Sequence, residues 1–371
     1  MTNSFLWALA AALTLMTAAP DFTPEGRLGA IRRAQVWTKT DVGAFDFKVG
    51  DGEFAPGATV ACDYVEKKFG GKTPKFGCVL APGDDVKVKY GAENSEVYAG
   101  VAATRLLRGL GFGVDALYPV HIDCRGCPAQ LGGTAAGPGV TRFEVAAIER
   151  KLKGRDVKLN NAEGWKWAEL DLVDPAAGGA PRAQRDALKL MAVFLQHTDN
   201  KTEQQRLLCL PVPGAAPAPA AAPGTAPVTA PATTQPPAPA TCELPFMMIH
   251  DLGNTFGKAN RLNRASISGA NLANWSETPI WKDAAQCVGN LSKSFTGNLS
   301  NPRISEEGRK FLADLLLQLT DAQLTDLFTA ANFAHGPERT RAAGSAGDTV
   351  ALWVKAFKQK RDEIVQAHCP S

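Results

Sequence analysis

Between residues 197 and 204 the chain reads His-Thr-Asp-Asn-Lys-Thr-Glu-Gln, which sets the carboxylate of Asp199 just before the ammonium group of Lys201 and the carboxamide of Gln204. In one short loop such a set can orient a hydroxyl, neutralise a phosphate and supply an oxygen ligand. A second carboxylate, Asp251, ends the apolar run Leu244-Pro245-Phe246-Met247-Met248-Ile249-His250 and is followed by Leu252-Gly253. Hard divalent cations take oxygen ligands of this kind, so the two segments together describe a magnesium and phosphate site. Taken singly, either aspartate reads as a turn or cap residue. His197 and His250 read as loop-packing histidines.

These residues need a frame. From Ala61 to Tyr90 short strand-like runs alternate with turns, and in Val86-Lys87-Val88-Lys89-Tyr90 the alternation places Val86, Val88 and Tyr90 on one face and Lys87 and Lys89 on the other. The Gly70-Gly71-Lys72-Thr73-Pro74-Lys75 turn lies between two of these runs. Asn94 or Ser95 can cap a helix that runs to about Gly109, with Gly111 as a stop signal. A strand over Leu117–Ile122 follows. Beyond it helical spacing dominates: Pro181–Gln196, a segment after Ser305, another from Thr320-Asp321, and a last one over about Asp348–His368. Phe256, Trp275 and Trp281 read as core residues.

Two compositional features organise the rest. Residues 211–241 hold ten prolines and eleven alanines without charge or apolar period, so this stretch cannot nucleate a core and is expected to be a disordered, extended Pro/Ala loop. Cys209 and Cys242 flank it, and a disulfide between them would make the tract a loop thrown from the tip of a hairpin inside one domain. Cys62 and Cys78 lie in neighbouring strand-like runs and could clip a hairpin. Cys124 and Cys127 could close a tight turn; with Cys287 and Cys369 the cysteines total eight, an even number suited to disulfides.

With these pieces in order, the sequence resembles the protein-kinase-like superfamily. His197–Gln204 is similar to the kinase catalytic loop His-Arg-Asp-Leu-Lys-Pro-Glu-Asn, Asp251-Leu252-Gly253 to the metal-binding Asp-Phe-Gly, and a lysine-bearing strand followed by a helix lies upstream. The resemblance implies an α+β, two-lobed kinase-like fold: a small β-rich lobe with one helix over 28–120, and a larger mainly helical lobe over 121–371 interrupted by the Pro/Ala loop. It implies ATP with magnesium or manganese as cofactors. Asp199 would take the proton of an acceptor hydroxyl, Lys201 would contact the transferred phosphoryl group, and Asp251 and Gln204 would hold the metal. Lys89 would bind nucleotide phosphates with Glu96, or Glu93, as its helix partner, and Gly70 and Gly71 would cover the phosphates. Thr198 stands where the family has arginine, and no G-x-G-x-x-G is present, so the chain looks more like the atypical HipA-type, phosphatidylinositol-kinase-type and secretory-pathway branches.

Composition sets the outer limits. With 371 residues, 45% hydrophobic, and 40 Lys+Arg against 37 Asp+Glu, the chain can build a core and lacks the basic excess of a nucleic-acid binder. Met1–Ala19 reads as a signal peptide, with an uncleaved N-terminal anchor as the rival, and no later stretch is apolar and long enough to span a bilayer. An exported protein, periplasmic or extracellular, is therefore expected, binding a nucleotide and a hydroxyl-bearing acceptor of protein, lipid or small-molecule type. The alternative is a non-catalytic pseudokinase-like scaffold of the cell envelope, stabilised by disulfides.

Overall fold

The computed structural model describes residues 22–160, 162, 164–212, 241–258, 269–337 and 344–370; the expected signal peptide 1–19, and the Pro/Ala stretch apart from its first two residues and its last, lie outside the described residues. Helix α1 (Pro24–Arg33) comes first, followed by strands β1 (Ala58–Val65), β2 (Lys75–Val79) and β3 (Asp85–Tyr90). Then come α2 (Ser95–Gly109), β4 (Ala116–Arg125), β5 (Thr134–Gly137) and β6 (Val140–Arg150).

The small lobe is a ring of strands. β2 pairs antiparallel with β1 and β3, β6 pairs antiparallel with β3 and β4, and β4 returns to pair in parallel with β1. Its interior is filled from alternate positions, among them Phe76, Val86, Val88, Tyr118, Ile122, Phe143 and Ile148. The alternation expected of β3 is thus realised: the valines face the ring interior and the lysines face away. The sheet runs on to Arg150, thirty residues past the expected lobe boundary at 120, because β6 is needed to join β3 to β4. Covered on both faces, β6 has no simple two-residue period, which is why its strand character was not legible. At the other end, α1 packs on a large-lobe strand, Pro245–Ile249, and on short turns of that lobe, although its second half lies within the expected small lobe.

Helix α2 carries the small lobe's contact with its neighbour. Asn94 caps it, accepting from the Glu96 amide at 3.2 Å. Gly111 ends it at φ +86°, where a Cβ would lie 2.1 Å from the Thr38 carbonyl oxygen.

The large lobe begins with β7 (Arg155–Asp156) and α3 (Arg182–Leu195) and continues through the hairpin of β8 (Gln205–Cys209) and β9 (Pro245–Ile249). After it come the short α4 (Leu272–Glu277), which the sequence reading did not indicate, and α5 (Glu306–Leu317), α6 (Asp321–Ala330) and α7 (Ala346–Gln366), at the positions the periodicity indicates. Ser305 and Thr320 cap α5 and α6 through their side chains. The core is aromatic: Phe256, Trp275, Phe328, Phe333 and Trp353 pack edge to face, tilted or, for Phe328 on Trp353, stacked, all fully buried. Trp281 is also buried. The described residues therefore form an α+β, two-lobed arrangement of a small β-rich lobe with one packed helix and a larger, mainly helical lobe.

All eight cysteines pair: Cys62–Cys78, Cys124–Cys127, Cys209–Cys242 and Cys287–Cys369. The Cys209–Cys242 bridge spans the end of the β8–β9 hairpin with Cα atoms 5.4 Å apart. Cys287–Cys369 closes 82 residues of sequence and ties the chain after α7 to the segment before α5. Loop entropy makes it the bridge with the most to contribute: replacing both cysteines with alanine is expected to cost about 4 kcal/mol, against about 1.5 kcal/mol for the Cys124–Cys127 turn. Urea midpoints of the two double variants check this order; equal midpoints would reject it. Among the described residues no helix is long and apolar enough to cross a membrane.

Candidate active site

A cleft of about 1000 Å³ lies between the lobes, and residues from the Gly70 turn, β3, β6, the Asp199 loop and the Asp251 loop line it. Its inner end is built on Lys89. Because β3 turns that side chain away from the ring interior and α2 packs beside it, Lys89 is buried to 1% exposure. Its Nζ lies 3.0 Å from Asp251 Oδ1, 3.8 Å from Glu96 Oε2 and 3.9 Å from Glu149 Oε2. Glu96 is therefore the helix carboxylate that faces it. Burial pushes the pKa of Lys89 down, but Asp251, Glu149 and Glu96 outweigh that and hold it above the ordinary lysine range.

Asp251 shows the reverse balance. Burial pushes its pKa up, yet Lys89 first, then Lys87, His250 and the Gly253 amide at 3.1 Å hold the carboxyl well below the usual range. Lys87, on the same face of β3 as Lys89, is ion-paired to Glu149 at 2.6 Å, its cross-strand partner on β6. Glu149 was not singled out from the sequence. The signal was there: a lone carboxylate closing the apolar run Ala146-Ala147-Ile148.

The Gly70 turn between β1 and β2 overhangs this end. Lys75 Nζ donates to the Gly70 carbonyl at 2.6 Å, and Thr73 Oγ1 donates to Glu96 Oε2 at 3.0 Å, so the turn is fastened to the carboxylate that faces Lys89. Gly71 has φ +80°, a conformation glycine adopts without strain. Gly253 is constrained differently: a Cβ there would lie 2.8 to 2.9 Å from the Glu96 side chain, so glycine lets the Asp251 loop touch α2.

On the large-lobe side, Asp199 sits in the loop between α3 and β8. Gln204 Nε2 donates to its Oδ2 at 2.9 Å, Lys201 Nζ lies 3.7 Å from the same oxygen, and Ser294 Oγ donates to Oδ1 at 3.4 Å. The Gln204 carbonyl accepts from the amides of His250 and Asp251 at 2.7 and 3.3 Å, which joins the two loops backbone to backbone. Asn200, also missed, is fully buried and accepts from the Asn298 and Leu299 amides at 2.8 Å each, tying residues 290–299 to the Asp199 loop. His197 packs as expected. It is fully buried, its ring nitrogens have no hydrogen-bond partner among the described residues, and burial pushes its pKa down to about 4 against the pull of Asp251 and Asp199. His250 has a partner in Asp115, which is itself buried: Asp115 accepts from His250 Nδ1 at 2.5 Å and from the Leu152 amide at 2.6 Å, linking the Asp251 loop to the strand that leaves the small lobe.

The structure thus lines one cleft with Gly70, Gly71, Glu96, Asp199, Lys201, Gln204 and Asp251, and sets Lys89 behind the Glu96 and Asp251 carboxylates. No protein-family model matches the chain, and neither does any curated protein. Among solved structures the chain is similar to the Helicobacter pylori proinflammatory kinase CtkA, with 11% identity over 82% of this chain and 96% of that one and a TM-score of 0.41.

Proposed function

We propose that the chain is an exported, magnesium-dependent phosphotransferase that moves the γ-phosphoryl group of a nucleoside triphosphate to a hydroxyl. The observation that carries this is the buried Lys89, with the Glu96 and Asp251 carboxylates beside it, at the inner end of a cleft whose other wall presents Asp199 and Lys201. The donor set suits a hard cation. Two ammonium groups, Lys87 and Lys89, meet three carboxylates, Glu96, Glu149 and Asp251, and both the Lys89 and Gly253 bonds to Asp251 fall on Oδ1. Asp251, with the Gln204 carboxamide, would hold magnesium or manganese, which when bound neutralises phosphate charge.

The chain's own residues would do the rest. Lys89 binds phosphate oxygens, and Glu96 and Glu149 keep it charged and in place. The Gly70 turn covers the phosphates and excludes water. Asp199, oriented by Gln204, accepts the hydroxyl proton, while Lys201 meets the charge of the phosphoryl group in transit. The four disulfides are compatible with an oxidising compartment outside the cytoplasm.

A thermal-shift titration tests the reading. Magnesium or manganese together with ATP is expected to stabilise the protein by about 2.7 kcal/mol at a hundredfold excess over Kd, and chelation of the metal is expected to remove the effect. A melting curve that no nucleotide and metal combination moves would sink it.

A further inference from the structure

We infer that Ser294 is itself an acceptor hydroxyl, phosphorylated within its own chain. This rests on the phosphotransferase reading above. Ser294 Oγ donates to Asp199 Oδ1 at 3.4 Å, while Gln204 and Lys201 occupy the other oxygen, so the carboxylate that would take an acceptor's proton already faces this hydroxyl. The separation is long for a hydroxyl-to-carboxylate bond, as catalytic contacts are before the cleft is loaded.

The placement is fixed by the backbone. The Ser294 amide donates to the Thr198 carbonyl at 2.7 Å, the Gly297 amide donates to the Ser294 carbonyl at 3.1 Å, and Asn200 holds the amides of Asn298 and Leu299. Gly297 fits because a Cβ would come within 2.8 Å of Asn200 Oδ1. Of the three hydroxyls that line the cleft, Thr73 donates to Glu96, Thr202 Oγ1 accepts from Asn298, and Thr296 lies two residues beyond Ser294. Between Ser294 and the cleft-lining Thr296, Phe295 is fully exposed, so no apolar burial anchors the tip of the segment.

The reaction balances with a nucleoside triphosphate as co-reactant. Ser294 Oγ bonds to the γ-phosphorus as its proton passes to Asp199, the bond from that phosphorus to the β,γ-bridging oxygen breaks, and the diphosphate leaves. The product places a phosphoserine dianion against the Asp199 carboxylate. Like charges at this distance repel, so the modified segment leaves the carboxylate and frees it for other hydroxyls. Unmodified Ser294 accordingly occupies the acceptor position.

The test uses the full chain with ATP and magnesium at several protein concentrations, read by intact mass and phosphopeptide mapping. One phosphate on Ser294, gained at a rate independent of protein concentration and absent from Asp199→Asn, is the expected result. Nucleotide-dependent stabilisation or turnover with Ser294 unmodified overturns this inference and leaves the phosphotransferase reading standing; absence of any nucleotide effect overturns both. A second readout needs no nucleotide. In Ser294→Asp the amides of residues 294–299 are expected to exchange with solvent about tenfold faster than in the unmodified protein, the factor that about 1.4 kcal/mol of repulsion gives. Unchanged exchange overturns the expulsion of the segment.

Discussion

In an Asp199→Asn protein, phosphate transfer is expected to fall by about 10²- to 10⁴-fold while metal and nucleotide still raise the melting temperature. Asparagine keeps the shape of the side chain and an oxygen for Gln204 to donate to, but it cannot take a proton from a hydroxyl. In Asp251→Ala both effects disappear together, because the carboxylate that faces Lys89 across 3.0 Å is also the proposed metal ligand. The pair of variants separates binding from chemistry. An Asp199→Asn protein that transfers phosphate at the wild-type rate removes that residue from the reaction. An Asp251→Ala protein with an undiminished metal-dependent shift moves the metal elsewhere.

The second large effect is on stability. Replacing Lys89 with methionine leaves the buried Glu96 and Glu149 and the partly buried Asp251 around an uncharged side chain, with Lys87 as the remaining ammonium group of the cluster. Breaking a buried ionic group by removing one partner costs about 3 to 5 kcal/mol, so Lys89→Met is expected to unfold at markedly lower urea at pH 7. The sign of the pH dependence is distinctive. In the wild type the depressed Asp251 contributes stability that is present above its unfolded pKa of about 3.9 and is lost as pH falls through its folded value. The raised Lys89 contributes stability that is complete below about 10.4 and is lost as pH rises through its folded value. The wild-type cluster is therefore at full strength from about pH 4 to pH 10. In the variant Asp251 loses the ammonium group that most lowers its pKa while burial still pushes it up, so this carboxylate binds its proton more tightly than in the wild type and the deficit shrinks as pH drops from 7 toward 5. Urea midpoints at pH 5, 6 and 7 decide it: a deficit that stays constant across this range would mean that Lys89 stabilises by packing alone.

Much of the site was legible because it consists of short local strings. Asp199, Lys201 and Gln204 fall within six residues, Asp251 is followed closely by its turn glycine, and the alternation of β3 alone assigns Lys89 to the face opposite the valines. What was not legible depends on pairing across the sequence. Glu149 matters because β6 lies beside β3, and nothing in Ala146-Ala147-Ile148-Glu149 names the strand it joins. Ser294 lies 95 residues from Asp199, held there through the buried amide of Asn200. The lobe boundary was placed too early for the same reason: the ring closes only with β6, and a strand flanked on both sides and covered on both faces carries no alternation to read.

The Cys209–Cys242 bridge has a consequence for how the chain is connected. It supplies a second covalent path across the mouth of the β8–β9 hairpin, and Cα atoms 5.4 Å apart, one at the end of β8 and one just before β9, hold that mouth shut whatever lies between them. The backbone from 213 to 240 is then redundant for joining Asp199 to Asp251. Insertion, deletion or a proteolytic cut there leaves one covalent molecule with its cleft aligned, so the length of that stretch is free to vary without any penalty to the chemistry beside it.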